Sequence, residues 1–295
     1  MDAKDITLAL RGRWHRSYGL AFCPAHGNTR TPALSLSDGA DGRLLAKCHA
    51  GCGFDDIVDA LKGLHLLDGG GAYSPPDPEA IAAREAEARA EADKRERQAL
   101  ALWREAEPIN GTLAERYLRG RGLTCELPDS LRFHPSCWHS SARRFPAMLA
   151  RVDGAARFAL HRTYLRPDGT GKAEVTPNKA MLGAVKGGAV RLSNEAGPLV
   201  LCEGIETGLA LLSGLLHLPV RLWAGLSASG MQATHLPPDP ARLTIATDSD
   251  DGGAGKAAGD ALALRASSMG WTVSLLPAPQ GKDWADILAM KEGRT

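Results

Sequence analysis

Residues 244–258 read T-I-A-T-D-S-D-D-G-G-A-G-K-A-A and gather three carboxylates, Asp248, Asp250 and Asp251, where a short β-prone run stops. Carboxylates this close repel one another, and a hard, oxygen-seeking divalent cation is the usual balance. The plainer alternative is an acidic turn that caps an exposed helix. A second acidic point follows the buried-type run Leu199-Val-Leu-Cys202, in the sequence Glu203-Gly-Ile-Glu206-Thr. In a parallel sheet with helical crossovers, the carboxyl ends of the strands share one edge, where ligands bind. Glu203 and the Asp248/Asp250 pair are therefore expected to meet across a crevice, although 45 positions separate the first two.

Softer ligands stand near the start. Cys23-Pro-Ala-His26 and Cys48-His-Ala-Gly-Cys52 flank two strand-like runs, residues 33–37 and 43–47, with D-G-A-D-G as the turn between them. A C-x2-H knuckle and a C-x3-C knuckle joined by a hairpin can bring four ligands onto one tetrahedral Zn2+. The expected ligands are Cys23, His26, Cys48 and Cys52. Because C-x3-C is loose, His49 could replace one of them. The alternative is three reduced cysteines and an unrelated histidine. A closed, structural site explains how so short a module folds, since zinc binding energy is folding energy. His134, Cys137 and His139 imitate a second site but read as a core or solvated cluster.

Positive charge collects in the middle of the chain. Residues 111–191 hold 14 Lys and Arg against 6 Asp and Glu, whereas residues 199–295 hold 7 against 10. A basic segment beside an acidic cleft suits a polyanion held near bound metal. Arg157 and Arg162 fall on a predicted strand, residues 157–165. Lys172, Lys179, Lys186 and Arg191 follow among glycines, as a backbone-lined anion groove needs. Ordinary surface cations are the bland reading of any one of them.

The elements that must position these groups follow from pattern. A helix is expected over residues 55–64, with Ile57, Val58 and Leu61 inward. G-G-G at 69–71 and P-P-D-P at 75–78 mark a boundary. Residues 79–107 are dense in Ala, Glu and Arg, with Glu85/Arg89, Glu91/Arg95 and Asp93/Arg97 spaced i,i+4; they predict a solvated helical spacer without chemistry of its own. An amphipathic helix is expected over 112–122. From residue 199 strands and helices alternate: helix 206–216, strand 220–224, strand 243–247, helix 255–269, strand 272–276. That alternation specifies a mostly parallel sheet covered on both faces.

Bulk composition narrows the classes. A 295-residue chain with 44% apolar residues can bury a sizeable core in two or three domains, and a net charge of +1 points to no partner by itself. No apolar run reaches the roughly 18–20 residues that span a bilayer, and M-D-A-K-D-I-T lacks the apolar stretch of a secretion signal. Six cysteines in this length do not make a disulfide scaffold. A cytoplasmic protein without a membrane partner is expected.

E-G-I-E-T-G-L-A (203–210), T-D-S-D-D-G-G-A-G (247–255) and G-K-D-W-A-D-I-L (281–288) resemble the Toprim domain, in the version found in phage, plasmid and integrated-element DNA primases. Cys23–His26 resembles the opening of the zinc domain in such primases. G-T-L-A-E-R-Y-L-R-G-R-G-L (111–123), H-R-T-Y-L (161–165) and K-A-M-L-G (179–183) resemble their middle piece. The resemblance implies a multidomain α/β chain. Its parts are a zinc-ribbon β module (1–68), a linker and helical spacer (69–107), a small basic α+β primase-type subdomain (108–195) and a Toprim domain with a Rossmann-like parallel sheet (196–295). It departs from the family pattern at the C-x3-C knuckle and at the extra Asp251, and no G-x-x-x-x-G-K-[ST] accompanies it, so the helicase fused to some relatives is absent or is supplied by another chain.

What the resemblance implies is template-directed synthesis of short RNA primers on single-stranded DNA from nucleoside triphosphates. Glu203, Asp248 and Asp250 would hold one or two Mg2+ or Mn2+ ions, with Asp283 or Asp251 contributing, and Glu206 would orient a metal-bound water. Arg157, Arg162, Lys172, Lys179, Lys186 and Arg191 would track template and triphosphate by charge. Two other classes compete: a Toprim metal-dependent nuclease using the same carboxylates, and a zinc-dependent DNA-binding adaptor without activity. Dinucleotide binding by Gly253, Gly255 and Gly259 fails on electrostatics, because a pyrophosphate would face the aspartates.

Overall fold

The computed structural model describes residues 2–15, 17–27, 31–39, 43–67, 78–249, 253–291 and 293. Asp250 and Asp251, the tip of the 38–42 turn and the linker at 69–77 lie outside the described residues. The chain divides into two compact units, Met1–Arg89 and Ala90–Thr295. Among the described residues no helix is long and apolar enough to cross a membrane.

The first unit opens with α1 (Ala3–Ala9), whose N-cap Asp2 accepts from the Asp5 amide. Four antiparallel strands follow in spatial order, β1 (Arg13–His15), β2 (Tyr18–Ala21), β3 (Leu34–Asp38) and β4 (Leu44–Cys48). Alternation puts Ala21, Leu34 and Leu36 on one face, where they pack with Ile6 of α1 and with Ile57 and Leu61 of α2 (Phe54–Gly63). Val58, expected inward, is half-buried. A core this small is the kind that a metal must supplement.

Helix α3 (Pro78–Glu105) spans the predicted spacer. Its Glu91–Arg95 pair forms at 3.1 Å, as the spacing predicts. The C-terminal end departs from the solvated reading: Ala99 and Trp103 are buried with Leu149, Leu160 and Tyr164. The large side chains that begin at Leu100 are what turn this end inward.

Among its described residues the second unit contains two five-stranded sheets. The first is antiparallel, in the order β5 (Glu107–Pro108), β6 (Leu131–Trp138), β7 (Arg144–Val152), β8 (Ala159–Tyr164), β9 (Lys179–Leu182). Helix α4 (Leu113–Gly120) packs on it through Tyr117 and Leu118. His134, Cys137 and His139 are buried structural groups here. His134 meets Glu105, and His139 bridges Ser141 and the Pro177 carbonyl.

The second sheet runs β10 (Val190–Asn194), β12 (Arg221–Ala224), β11 (Leu199–Cys202), β13 (Arg242–Thr247), β14 (Thr272–Pro277). All pairs are parallel except β10 with β12. The antiparallel edge strand β10 comes from before residue 196, where sequence alone places the start of this sheet; its apolar Val190 and Leu192 pack into the core shared with Val200 and Leu209. Helix α5 (Ile205–Ala210) continues into a π-type turn, Leu211–Leu215, then α6 (Ala228–Ala233), α7 (Ala254–Ser268) and α8 (Trp284–Lys291) complete the layer.

Candidate active site

Strand register sets the site. Cys202 of β11 pairs with Ala246 of β13, and Thr247 of β13 pairs with Pro277 of β14. Glu203 and Asp248 are the first residues beyond β11 and β13, so they leave neighbouring strands at the same edge. Asp283 arrives from the loop after β14. That loop is tied to Asp248 by its neighbour Ser249, whose amide donates to the Lys282 carbonyl at 3.1 Å and whose hydroxyl donates to the Ala278 carbonyl at 2.7 Å. Asp283 also caps α8, accepting from the Asp286 amide at 2.7 Å.

These three carboxylates line one cleft with Arg121, Lys172, Lys179, Gly204, Glu206, Thr207 and Leu226. Burial, with the charges of Asp283 and Glu203 nearby, pushes the Asp248 carboxyl up to about 6, against a hydrogen bond from Thr207 that lowers it. The Thr207 hydroxyl lies 3.1 Å and 3.3 Å from the two Asp248 oxygens. A carboxylate raised by burial and by neighbouring carboxylates gains from a cation placed against it. The donor set is all oxygen, and it fits a hard divalent cation.

The cationic wall comes from the antiparallel sheet. Lys172 sits on the loop after β8, Lys179 begins β9, and Arg121 is the C-cap of α4. Lys172 lies 3.0 Å from Glu206 Oε1, and Lys179 lies 3.3 Å from Oε2. Tyr117 donates to Oε1 at 2.9 Å. Burial opposes ionisation of Glu206, but the two lysines overcome it and hold the carboxyl well below the usual range.

The other predicted cations do not line this cleft. Arg157 pairs with Asp93 and Glu96 of α3. Arg162 donates to the carbonyls of Trp138 and Met181, each at 3.2 Å, and lies over the Tyr164 ring. Arg191 lies over the Trp223 ring at 5.1 Å. Lys186 is exposed on the turn after β9. Arg157, expected on the strand, lies in the bend before β8, while Arg162 and Arg191 are strand residues for which local carbonyls and π faces compete. Thr207, Arg121 and Tyr117 are the site residues that sequence reasoning passes over. Thr207 lies inside E-G-I-E-T and Arg121 inside R-G-R-G, so both were within motifs, whereas Tyr117 reads as a core residue.

The glycines at 255 and 259 serve packing. A Cβ at Gly259 would lie 2.6 Å from Thr247 Cγ2, and one at Gly255 would lie 2.9 Å from the Asp248 carbonyl oxygen. Their absence of side chains lets α7 lie directly against the strand that delivers Asp248.

In the first unit, Cys23, His26, Cys48 and Cys52 bring their ligand atoms within 4.8 Å of one another. Four donors spaced this way fit a tetrahedral zinc ion, whose bonds of about 2.0–2.3 Å set the ligand separations. His49 is turned away from the set, with Nε2 2.7 Å from Ser35 Oγ. The extra residue in C-x3-C is absorbed by Gly51 at φ +97°, which folds the knuckle back and lets the Ala50 amide donate to Cys48 Sγ at 3.3 Å.

Comparison with known proteins adds family context. Residues 198–294 match the model of the Toprim domain, and residues 93–192 match a domain of unknown function, DUF7146. No curated protein matches the chain. Among solved structures, the zinc-binding and RNA polymerase domains of the Aquifex aeolicus primase align over 100% of this chain and 80% of that one, at 15% identity and a TM-score of 0.41. A DNA primase domain from Pseudomonas aeruginosa aligns over 67% of this chain and 75% of that one, at 18% identity and a TM-score of 0.40. The strand order, the carboxylates at the strand ends and the family match agree on one conclusion: residues 198–294 are a Toprim domain.

Proposed function

We propose that the protein is a DNA primase that builds short RNA primers on single-stranded DNA from nucleoside triphosphates. The observation that supports this most is the meeting of Glu203, Asp248 and Asp283 with Lys172, Lys179 and Arg121 in one cleft. Glu203, Asp248 and Asp283 would hold Mg2+ or Mn2+, which would supply Lewis-acid charge at an α-phosphate and at the leaving pyrophosphate. Asp250 and Asp251 remain candidate ligands from the motif resemblance.

The chain's own residues divide the remaining work. Thr207 fixes the rotamer of Asp248, and the Ser249 bonds keep Asp283 beside it. Lys172, Lys179 and Arg121 draw a polyphosphate towards the carboxylates and set its orientation. The cysteine–histidine set holds a structural zinc ion that shapes the N-terminal sheet as a template-holding surface. A separate replicative helicase, a cytoplasmic setting and a mobile-element origin complete the reading.

The test is Asp248→Ala. Fold and single-stranded DNA binding should persist while incorporation of labelled nucleotides falls at least about 100-fold, the scale of losing a metal ligand or its support. Primer synthesis at the normal rate would show that Asp248 has no part in the chemistry.

A further inference from the structure

Glu206 has a charge opposed to the purpose of its neighbours. It stands in the first turn of α5, 7% exposed, with Tyr117 Oη and Lys172 Nζ on Oε1 and Lys179 Nζ on Oε2. Three of this carboxylate's roughly four acceptor positions are thereby taken, two of them by cations. The two lysines come from separate segments and would repel each other if nothing lay between them. Their side chains are 26% and 40% exposed, and both line the cleft. An ammonium has three rotatable donors, so each lysine can turn them from Glu206 to an anion that enters the cleft.

We infer that Glu206 is a placeholder anion. In the free protein it holds Lys172 and Lys179 together as a two-lysine subsite for a pyrophosphate-class anion, which takes over their donors when it binds. Tyr117 tempers the placeholder: its hydroxyl occupies Oε1 and loosens the grip on Lys172. Glu206 is thus a positioning residue, and what the subsite receives is the β,γ end of a triphosphate or the pyrophosphate released from it. The identification with a nucleotide rests on the primase reading; the subsite itself requires only the polyphosphate.

The probe is inorganic pyrophosphate with Mg2+, titrated calorimetrically into the full chain. Lys172→Ala and Lys179→Ala should each weaken binding roughly tenfold, the loss of one charge-assisted bond. Glu206→Gln removes the competitor, so pyrophosphate should bind about threefold or more tightly while primer turnover falls, because the lysines have lost their anchor. Tyr117→Phe, which preserves shape, should weaken binding about twofold by freeing Glu206 to compete harder. A purely structural Glu206 would not move affinity and turnover in opposite directions.

Weaker pyrophosphate binding in Glu206→Gln, or no change in it, overturns the inference. Should Glu206→Gln fail to fold, Tyr117→Phe decides, and unchanged binding there overturns it as well. No nucleotide is polymerised in the calorimetric titrations, and these alone decide the placeholder. A protein that shows the pattern but makes no primer loses only the primase reading, and one that primes with pyrophosphate affinity indifferent to these substitutions loses only the placeholder.

Discussion

Thr207 and Ser249 are short side chains with long consequences, since between them they fix where Asp248 points and what stands beside it. The same local economy governs the cysteine–histidine set, where one glycine at positive φ brings Cys52 back towards Cys48. Residues with local spacing rules were legible in the sequence: Cys23, His26, Cys48 and Cys52, and the strand-end Glu203 and Asp248. Whether His49 joined the zinc ligands was not legible, because Ser35 on the neighbouring strand decides it. Nor was the company of Glu206, whose partners Tyr117 and Lys179 lie 89 and 27 positions away. At this scale, Cys48→Ser should lower bound zinc from about one ion per chain to near none, measured by metal content after gel filtration. His49→Ala should leave that content unchanged, and equal losses in both would return His49 to the ligand set.

Elements place these residues by close approach as much as by topology. The alternation of strand and helix from residue 199 onward was readable from periodicity, and the sheet follows it. The edge strand β10 was not readable as part of that sheet, since an antiparallel strand ahead of a parallel series has no local signature. The end of α3 was similarly hidden: Asp93 has Arg97 at ideal spacing, yet it pairs with Arg157 from the bend before β8, as Glu96 does. Helix α7 depends on Gly259, where a Cβ would meet Thr247 at 2.6 Å. Gly259→Ala should destabilise the protein by about 1–3 kcal/mol through overpacking, outweighing a helix-propensity gain of about 1 kcal/mol. Gly120, at the end of α4, has open space around its missing side chain. There Gly120→Ala should stabilise by up to about 1 kcal/mol. Urea midpoints of the two variants check both signs.

At the scale of the whole molecule, the Toprim sheet supplies acid and the antiparallel sheet supplies base, and the cleft is where they meet within one compact unit. Formal net charge of +1 conceals that division. On the proposed reading, single-stranded DNA binds the basic segment, and its affinity should fall steeply as salt rises, through counterion release. The zinc module answers to a different test. Stripping metal with a strong chelator should erase hydrogen-exchange protection in residues 34–38, 44–48 and 54–61 and spare residues 199–247, because the proposed zinc site lies in the small N-terminal core.

The most direct measurement incubates the protein and Mn2+ with end-labelled single-stranded DNA, with and without labelled ribonucleotides, and resolves both strands by length. The account predicts new, short ribonucleotide-labelled chains that appear only when nucleotides are present, with the template intact. Shortening of the template without nucleotides, and no labelled product with them, would contradict it: the same carboxylates would then be cutting DNA.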